Sequence, residues 1–136
     1  MQVAQTHTFL HPRGWKPAKG FSNGLAAQGR IIFLGGQVGW NAEQKFECGD
    51  FVAQARQALA NIVTLVAEAG GGAEHVTRLT WFVLDKREYL SRLRELGEAY
   101  RSVMGKHFPA MTLVQVGALV EDEAKLEIEA TAVVPA

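Results

Sequence analysis

Apolar residues recur at three- and four-residue steps between Asp50 and Gly70, and polar residues occupy most of the positions between them. This spacing predicts one amphipathic helix. Its apolar face consists of Val52, Ala55, Leu59, Ile62, Val66 and Ala69. Asp50 stands where a side chain accepts hydrogen bonds from the free amides of the first turn. Gly70 is predicted to end the helix, because glycine adopts the left-handed conformation that other residues avoid.

A second helix is predicted from Asp85 to Gly105. Asp85 with Glu88 three residues later is close to a capping box, which marks a helix start. The apolar stripe of this helix is Tyr89, Leu93, Leu96, Tyr100 and Val103. Its arginines are predicted to form a solvated face, and they are Arg87, Arg92, Arg94 and Arg101.

Runs of β-branched and aromatic residues predict strands at 30–34, 76–84, 108–116 and 125–132. The first run is closed by Gly35 and Gly36 and is apolar enough to predict a buried strand. Residues before Gly24 are interrupted by proline and glycine, which predicts an edge strand or a loop lying over the domain.

A short connection separates the last two predicted strands, and we therefore expect them to pair. In the final strand the alternate residues Leu126, Ile128, Ala130 and Ala132 form an apolar face that should lie under the helices. The opposite face of the sheet is predicted to mix Met111, Leu113 and Val133 with Glu127 and Glu129. A sheet face that carries both apolar and charged side chains favours self-association around a solvent-filled cleft.

The order of elements predicts an α+β fold with a single sheet and two helices on one face, in one domain over residues 1–136. Fourteen basic residues balance fourteen acidic ones, so no global field favours nucleic acid or an anionic membrane surface. No apolar run approaches the roughly 20 residues that span a bilayer. The start of the chain, 1–7, lacks the basic and apolar blocks of a signal peptide, and we expect a cytoplasmic protein.

Other chemistry has weaker support. The single Cys48 excludes an internal disulfide, and nothing marks it as a nucleophile. His7 and His11 are four residues apart, but Pro12 and the lack of helical period deny them a common face. We therefore predict no metal site and no cofactor.

Four motifs stand together in one order. They are GGQ at 35–37, QARQALANI at 54–62, FPA at 108–110 and LEIEATAV at 126–133. Together they resemble the RidA family, also called YjgF/YER057c/UK114, over nearly the whole chain. The resemblance implies a chorismate-mutase-like fold, a homotrimer and a small-metabolite cleft between each pair of subunits. It also implies hydrolysis of reactive enamine and imine intermediates to a keto acid and ammonia.

The resemblance also assigns roles to single positions. Deaminases of the family carry an arginine directly after the Pro-Ala pair, where it binds the substrate carboxylate, and this chain has Met111 there. A thioether has no donor and no charge. Losing two hydrogen bonds to a charged group costs about 3–6 kcal/mol of binding, which is about two to four orders of magnitude in affinity.

Other positions depart from the family pattern too. Phe21 stands where a tyrosine is usual, Gly35 where a serine is usual and Gly97 where an asparagine is usual. Each change removes a polar group from the expected cleft. Glu127 matches the acidic residue that positions or activates the attacking water, so it is the catalytic candidate. The substrate-contacting candidates are Met111, Phe21, Gly35, Gly97 and Leu113.

Several alternatives remain open. Glu127 is either the catalytic carboxylate or a solvated interface residue, and Met111 either walls the cleft or packs at a subunit contact. A basic residue of the N-terminal segment is a candidate replacement for the missing arginine, and the choices are Arg13, Lys16 and Lys19. For the whole protein, an imine or enamine hydrolase stands against a non-catalytic metabolite-binding or accessory protein of a catabolic pathway.

Overall fold

The computed structural model describes residues 7–136, so residues 1–6 of the N-terminal stretch lie outside the described part. The α+β class predicted from the sequence is confirmed. A one-turn 3₁₀ helix at 73–75 precedes β4. The main elements in chain order are β1 His7–Leu10, β2 Gly24–Ala27, β3 Arg30–Val38, α1 Phe51–Glu68, β4 Val76–Val83, α2 Lys86–Ser91, α3 Leu93–Met104, β5 Ala110–Gln115 and β6 Leu126–Val134.

The main sheet has the order β3-β6-β4-β5. β6 is antiparallel to both of its neighbours, and β5 runs parallel to β4 at the edge. The prediction that β5 and β6 pair is therefore wrong, because β4 lies between them. β6 pairs with β3 along one edge and with β4 along the other, so both of its edges are satisfied without β5.

The helices cover one face of this sheet, as predicted. Leu126, Ile128 and Ala132 of β6 are completely buried beneath them together with Leu59 and Ile62 of α1. The boundaries of α1 also follow the sequence. The Asp50 side chain accepts a hydrogen bond from the Ala53 amide at 2.9 Å, and Gly70 takes a φ of 84° just beyond the helix.

The predicted second helix is broken at Arg92 into α2 and α3. Arg92 has φ −125° and ψ 29°, outside the helical range, which ends α2. Its guanidinium binds Asp50 at 2.5 Å and Glu95 at 2.6 Å. The hydrogen bond from Arg92, together with the one from the Ala53 amide, holds the pKa of the Asp50 carboxyl below its usual value. The prediction of a continuous helix from Asp85 to Gly105 is thus wrong in its middle, since a tertiary ion pair accompanies a break that local periodicity does not reveal.

β3 differs from its prediction as well. It is an edge strand rather than a buried one, and its outer face is open, with Ile31 58% and Phe33 80% exposed. The N-terminal segment forms a separate two-stranded sheet of β1 and β2. Among the described residues, no helix is long and apolar enough to cross a membrane.

Candidate functional site

A cavity of about 520 Å³ opens between α3, the start of β5 and the N-terminal segment. Its apolar wall is formed by side chains from the sheet and from α3. These include Trp81, Leu93, Leu96, Phe108, Met111 and Leu113. Trp81 and Leu96 also belong to the hydrophobic core, so the cavity is a gap at the margin of that core on the helix side of the sheet.

The N-terminal segment is fastened over the cavity by Ser22. The Ser22 amide donates to the Pro109 carbonyl at 3.0 Å, and its hydroxyl donates to the carbonyl of Phe108. These bonds hold Phe21 and Lys19 beside the start of β5, where both line the cavity. The FPA motif therefore acts partly as an anchor for another segment.

An aromatic pair closes one side of the cavity. The rings of Tyr100 and Phe108 are stacked with centroids 5.2 Å apart. The Tyr100 hydroxyl donates to the His107 carbonyl at 2.6 Å, and burial raises the pKa of this phenol well above its usual value. Tyr100 is thus a neutral wall of the cavity, with its hydroxyl already occupied.

Gly97 and Arg101 lie one helical turn apart on α3 and both face the cavity. A Cβ atom added at Gly97 would lie 3.2 Å from Nη1 of Arg101. The guanidinium therefore extends over the position where residue 97 has no side chain. This arrangement was missed from the sequence, where Arg101 was placed on the solvated face. The i,i+4 spacing of a glycine and an arginine was the available signal.

Glu127 lies on the other face of the sheet. Along the strands, Leu79 of β4 is in register with Met111 and with Ala130, so these three side chains point to the helix side. Phe82 is in register with Val114 and with Glu127, which point away from the helices. The prediction that Met111 and Leu113 share a face with Glu127 is therefore wrong within one chain. The intervening β4 changes which β5 residues align with Glu127.

The Glu127 carboxylate lies against a β-bulge in β3. The register shifts by one residue between Leu34 and Gln37, where Gly35 and Gly36 lie opposite the single residue Glu129. A Cβ atom at Gly36 would collide with the carboxylate of Glu127. Glycine at 36 thus leaves room for this carboxylate at the open face, whereas Gly35 faces open space.

The predicted site residues consequently form two groups. Met111, Leu113, Phe21 and Gly97 line the cavity, whereas Gly35 lies in the bulge beside Glu127. Of the three N-terminal basic candidates, Lys19 lines the cavity and the other two do not. The two groups cannot meet inside one chain, because the sheet separates them.

Known proteins share both this fold and these motifs. The family described as Endoribonuclease L-PSP matches residues 13–134. A RutC family protein of Haemophilus influenzae is 33% identical over 77% of this chain and 80% of its own length. The 2-iminobutanoate/2-iminopropanoate deaminase of Escherichia coli strain K12 is 34% identical, again over 77% of this chain and 80% of its own length.

A solved structure of a Rid family protein has a similar fold. A protein of unknown function of the conserved Rid family, YyfB from Yersinia pestis, superposes with a TM-score of 0.85 at 29% identity, covering 96% of this chain and 100% of that chain. The family match over residues 13–134 includes the bulge glycines, the start of β5 and Glu127. On fold and sequence together, the chain belongs to the Endoribonuclease L-PSP family, which is the RidA (YjgF/YER057c/UK114) family.

Proposed function

We propose that this protein hydrolyses an imine or enamine metabolite in a cleft between two copies of the chain, with Glu127 as the catalytic carboxylate. One observation carries the proposal: the cavity at Met111 and the carboxylate of Glu127 lie on opposite faces of the sheet. A ligand that contacts both needs the cavity of one copy and the open face of another. A closed ring of three copies would supply this pairing three times.

The open face has the surface that such an assembly requires. Ile31 is 58%, Phe33 80% and Val114 41% exposed on the side that the helices leave uncovered. Ile31 and Phe33 lie together on the edge strand β3, and Val114 lies on the opposite edge strand β5. Exposed apolar side chains on one sheet face favour an interaction site. Glu127 lies at the margin of this surface, half-buried, so a neighbouring copy would enclose its carboxylate together with a ligand.

Imine hydrolysis requires one general base and a substrate held in position. The Glu127 carboxylate accepts a proton from water as the water oxygen attacks the imine carbon. The imine nitrogen takes up a proton from solvent, which gives a carbinolamine. The protonated Glu127 carboxyl then returns its proton to the amine nitrogen, the C–N bond breaks to release ammonia, and the hydroxyl proton passes to solvent as the keto acid forms. A positioned general base contributes about 10²- to 10⁴-fold in rate. The name of the Escherichia coli relative, 2-iminobutanoate/2-iminopropanoate deaminase, supports this reaction class.

Met111 sets the expected substrate range. It stands directly after the Pro-Ala pair, where the family resemblance implies a carboxylate-binding arginine, and its half-buried side chain forms an apolar wall of the cavity. We therefore expect weak turnover of the smallest imino acids, which depend almost entirely on carboxylate contacts. Substrates with an apolar body gain burial against this wall at about 25 cal/mol per Å².

The test measures ammonia release from imines generated in situ by a pyridoxal-phosphate enzyme. One imine carries a methyl side chain and the other a benzyl side chain. We expect faster turnover of the benzyl imine and a loss of about 100-fold or more in Glu127→Gln. Glu129→Gln, on the same strand and face, is the matched control and should retain activity.

Two results would overturn the proposal. Equal turnover by the wild type and Glu127→Gln would remove the carboxylate from the reaction. Turnover of the methyl imine at the rate of the Escherichia coli relative would show that Met111 does not restrict the substrate.

A second candidate is a non-catalytic metabolite-binding or accessory protein of a catabolic pathway. The polar groups missing at Met111, Phe21 and Gly97 favour it, because they leave an apolar cavity with few groups to orient a reacting atom. Saturable binding of a keto acid without ammonia release from either imine would support this candidate over the hydrolase.

A further inference from the structure

The charges around the cavity are of one sign. Two basic side chains, Lys19 and Arg101, line it, and no carboxylate does so among the described residues. The whole chain is neutral, with fourteen basic and fourteen acidic residues, so this imbalance is local. A cavity with low-dielectric walls and cations alone attracts an anion.

Arg101 is the better placed of the two cations. The acidic residues near it on α3 are engaged elsewhere, since Glu95 binds Arg92 at 2.6 Å and Glu98 lies 3.8 Å from Arg94. Within residues 7–136 the Arg101 guanidinium has no ion pair or side-chain hydrogen bond of its own. Its five N–H donors are available to a ligand.

Gly97 explains why the guanidinium reaches the cavity. With only a hydrogen as its side chain, Gly97 opens the helix surface one turn before Arg101, and Nη1 lies 3.2 Å from the position of its missing Cβ atom. Any larger residue at 97 would compete for that space. Glycine lowers the helix propensity of α3 at this position, and it leaves space for the Arg101 side chain over the cavity.

The floor of the cavity is apolar. The Trp81 side chain lines it and is only 2% exposed. Its indole N–H is buried without a hydrogen-bond partner among the described residues, so it does not face the cavity as a donor. The floor therefore offers a ligand apolar contact rather than a hydrogen bond.

From these features we infer that Arg101 is the carboxylate anchor of the cavity and that its ligands are monocarboxylates with an apolar or aromatic body. The guanidinium holds the carboxylate at the mouth, while the body lies against Trp81, Leu96 and Met111. This inference rests on the proposed function, because it names the substrate class of the same site. In this chain the positive charge that binds the carboxylate would come from position 101 of α3, whereas the family pattern places it at position 111 of β5.

Equilibrium binding tests the anchor separately from catalysis. The probes are phenylpyruvate, its neutral methyl ester and pyruvate, titrated by calorimetry into the full-length protein. We expect phenylpyruvate to bind at least tenfold more tightly than pyruvate or the ester. Arg101→Gln should weaken phenylpyruvate binding about 10- to 100-fold, and it should leave the affinity for the ester unchanged.

The matched control is Arg94→Gln, which removes an arginine of the same helix whose side chain is 93% exposed. Thermal unfolding of each variant verifies that the fold is intact. Equal loss of phenylpyruvate binding in both variants would assign the effect to general charge and overturn the inference. A loss confined to Lys19→Gln would make the lysine the anchor and would also contradict it.

Failure of the inference remains distinguishable from failure of the proposed function. Binding that depends on Arg101 without any ammonia release would keep the anchor and reject the hydrolase. Ammonia release that depends on Glu127 but is unaffected by Arg101→Gln, together with unchanged phenylpyruvate binding, would keep the hydrolase and reject the anchor.

Discussion

At the scale of single residues, we propose that Met111 and Arg101 together replace the one arginine of the family pattern. Met111 contributes an apolar surface on the strand, and Arg101 contributes the charge from the facing helix. An arginine fork binds a carboxylate well only where both of its donors reach the oxygens. Moving the charge to the helix therefore alters the distance between the anchored carboxylate and the rest of the cavity.

Met111→Arg tests the placement of residue 111 in the ligand site. A guanidinium at the start of β5 adds two charged hydrogen bonds to a small carboxylate, and we expect pyruvate affinity to rise by about two orders of magnitude. Titration calorimetry measures the change. Met111→Leu preserves the apolar wall and serves as the control. Unchanged pyruvate binding in the arginine variant would place residue 111 outside the site.

The residue scale also shows how far sequence reasoning reached. Phe21, Gly97, Met111 and Leu113 were named from the resemblance, and the fold brings all four to one cavity. Arg101 was overlooked, because an arginine on a helix is solvated in most proteins. The sequence does not give the rotation of α3 relative to β5, and this rotation is what directs the Arg101 side chain over Gly97 and toward the cavity.

At the scale of elements, the break at Arg92 and the position of β6 shape the site. The break starts a new helix, α3, and Gly97 and Arg101 of this helix face the cavity beside β5. β6, inserted between β3 and β4, carries Glu127 beside the glycine bulge of β3. The Glu127 half of the proposed site is therefore built by strands distant in sequence, whereas α3 and β5 are consecutive elements.

Gly97→Ala separates helix stability from ligand binding. Alanine favours a helix interior over glycine, so the free energy of unfolding should rise by about 0.5–1 kcal/mol. The new methyl group crowds the Arg101 guanidinium, and phenylpyruvate binding should fall. Urea unfolding and calorimetry measure the two effects. Gly117→Ala, at a loop glycine with nothing near its added Cβ, should leave phenylpyruvate binding unchanged. Unchanged ligand binding in Gly97→Ala would show that Arg101 does not need the space.

At the scale of the whole molecule, the decisive feature is the sheet face that the helices leave open. Both the exposed apolar side chains of this face and the separation of Met111 from Glu127 favour association with a second copy of the chain. An interface on this face would bury the apolar side chains and complete the site in one step, which couples assembly to function.

We expect light scattering to return three times the 14.8 kDa mass of the chain at micromolar concentration. Phe33→Glu places a charge on the open face at the β3 edge and should yield monomers that release no ammonia. Leu90→Glu alters an apolar side chain of α2 that is 56% exposed and should leave the assembly intact. A monomeric wild-type protein would remove the intersubunit cleft.

The sequence by itself determined the class of fold, the caps of α1, the buried face of β6 and the family, because these depend on local periodicity and short motifs. Only the tertiary structure decided that β4 separates β5 from β6, that Arg92 interrupts a helix and that Arg101 reaches the cavity. Strand order and side-chain direction depend on contacts between distant segments. A single strand inserted between two others moved Met111 and Glu127 to opposite faces, which no pattern along either strand records.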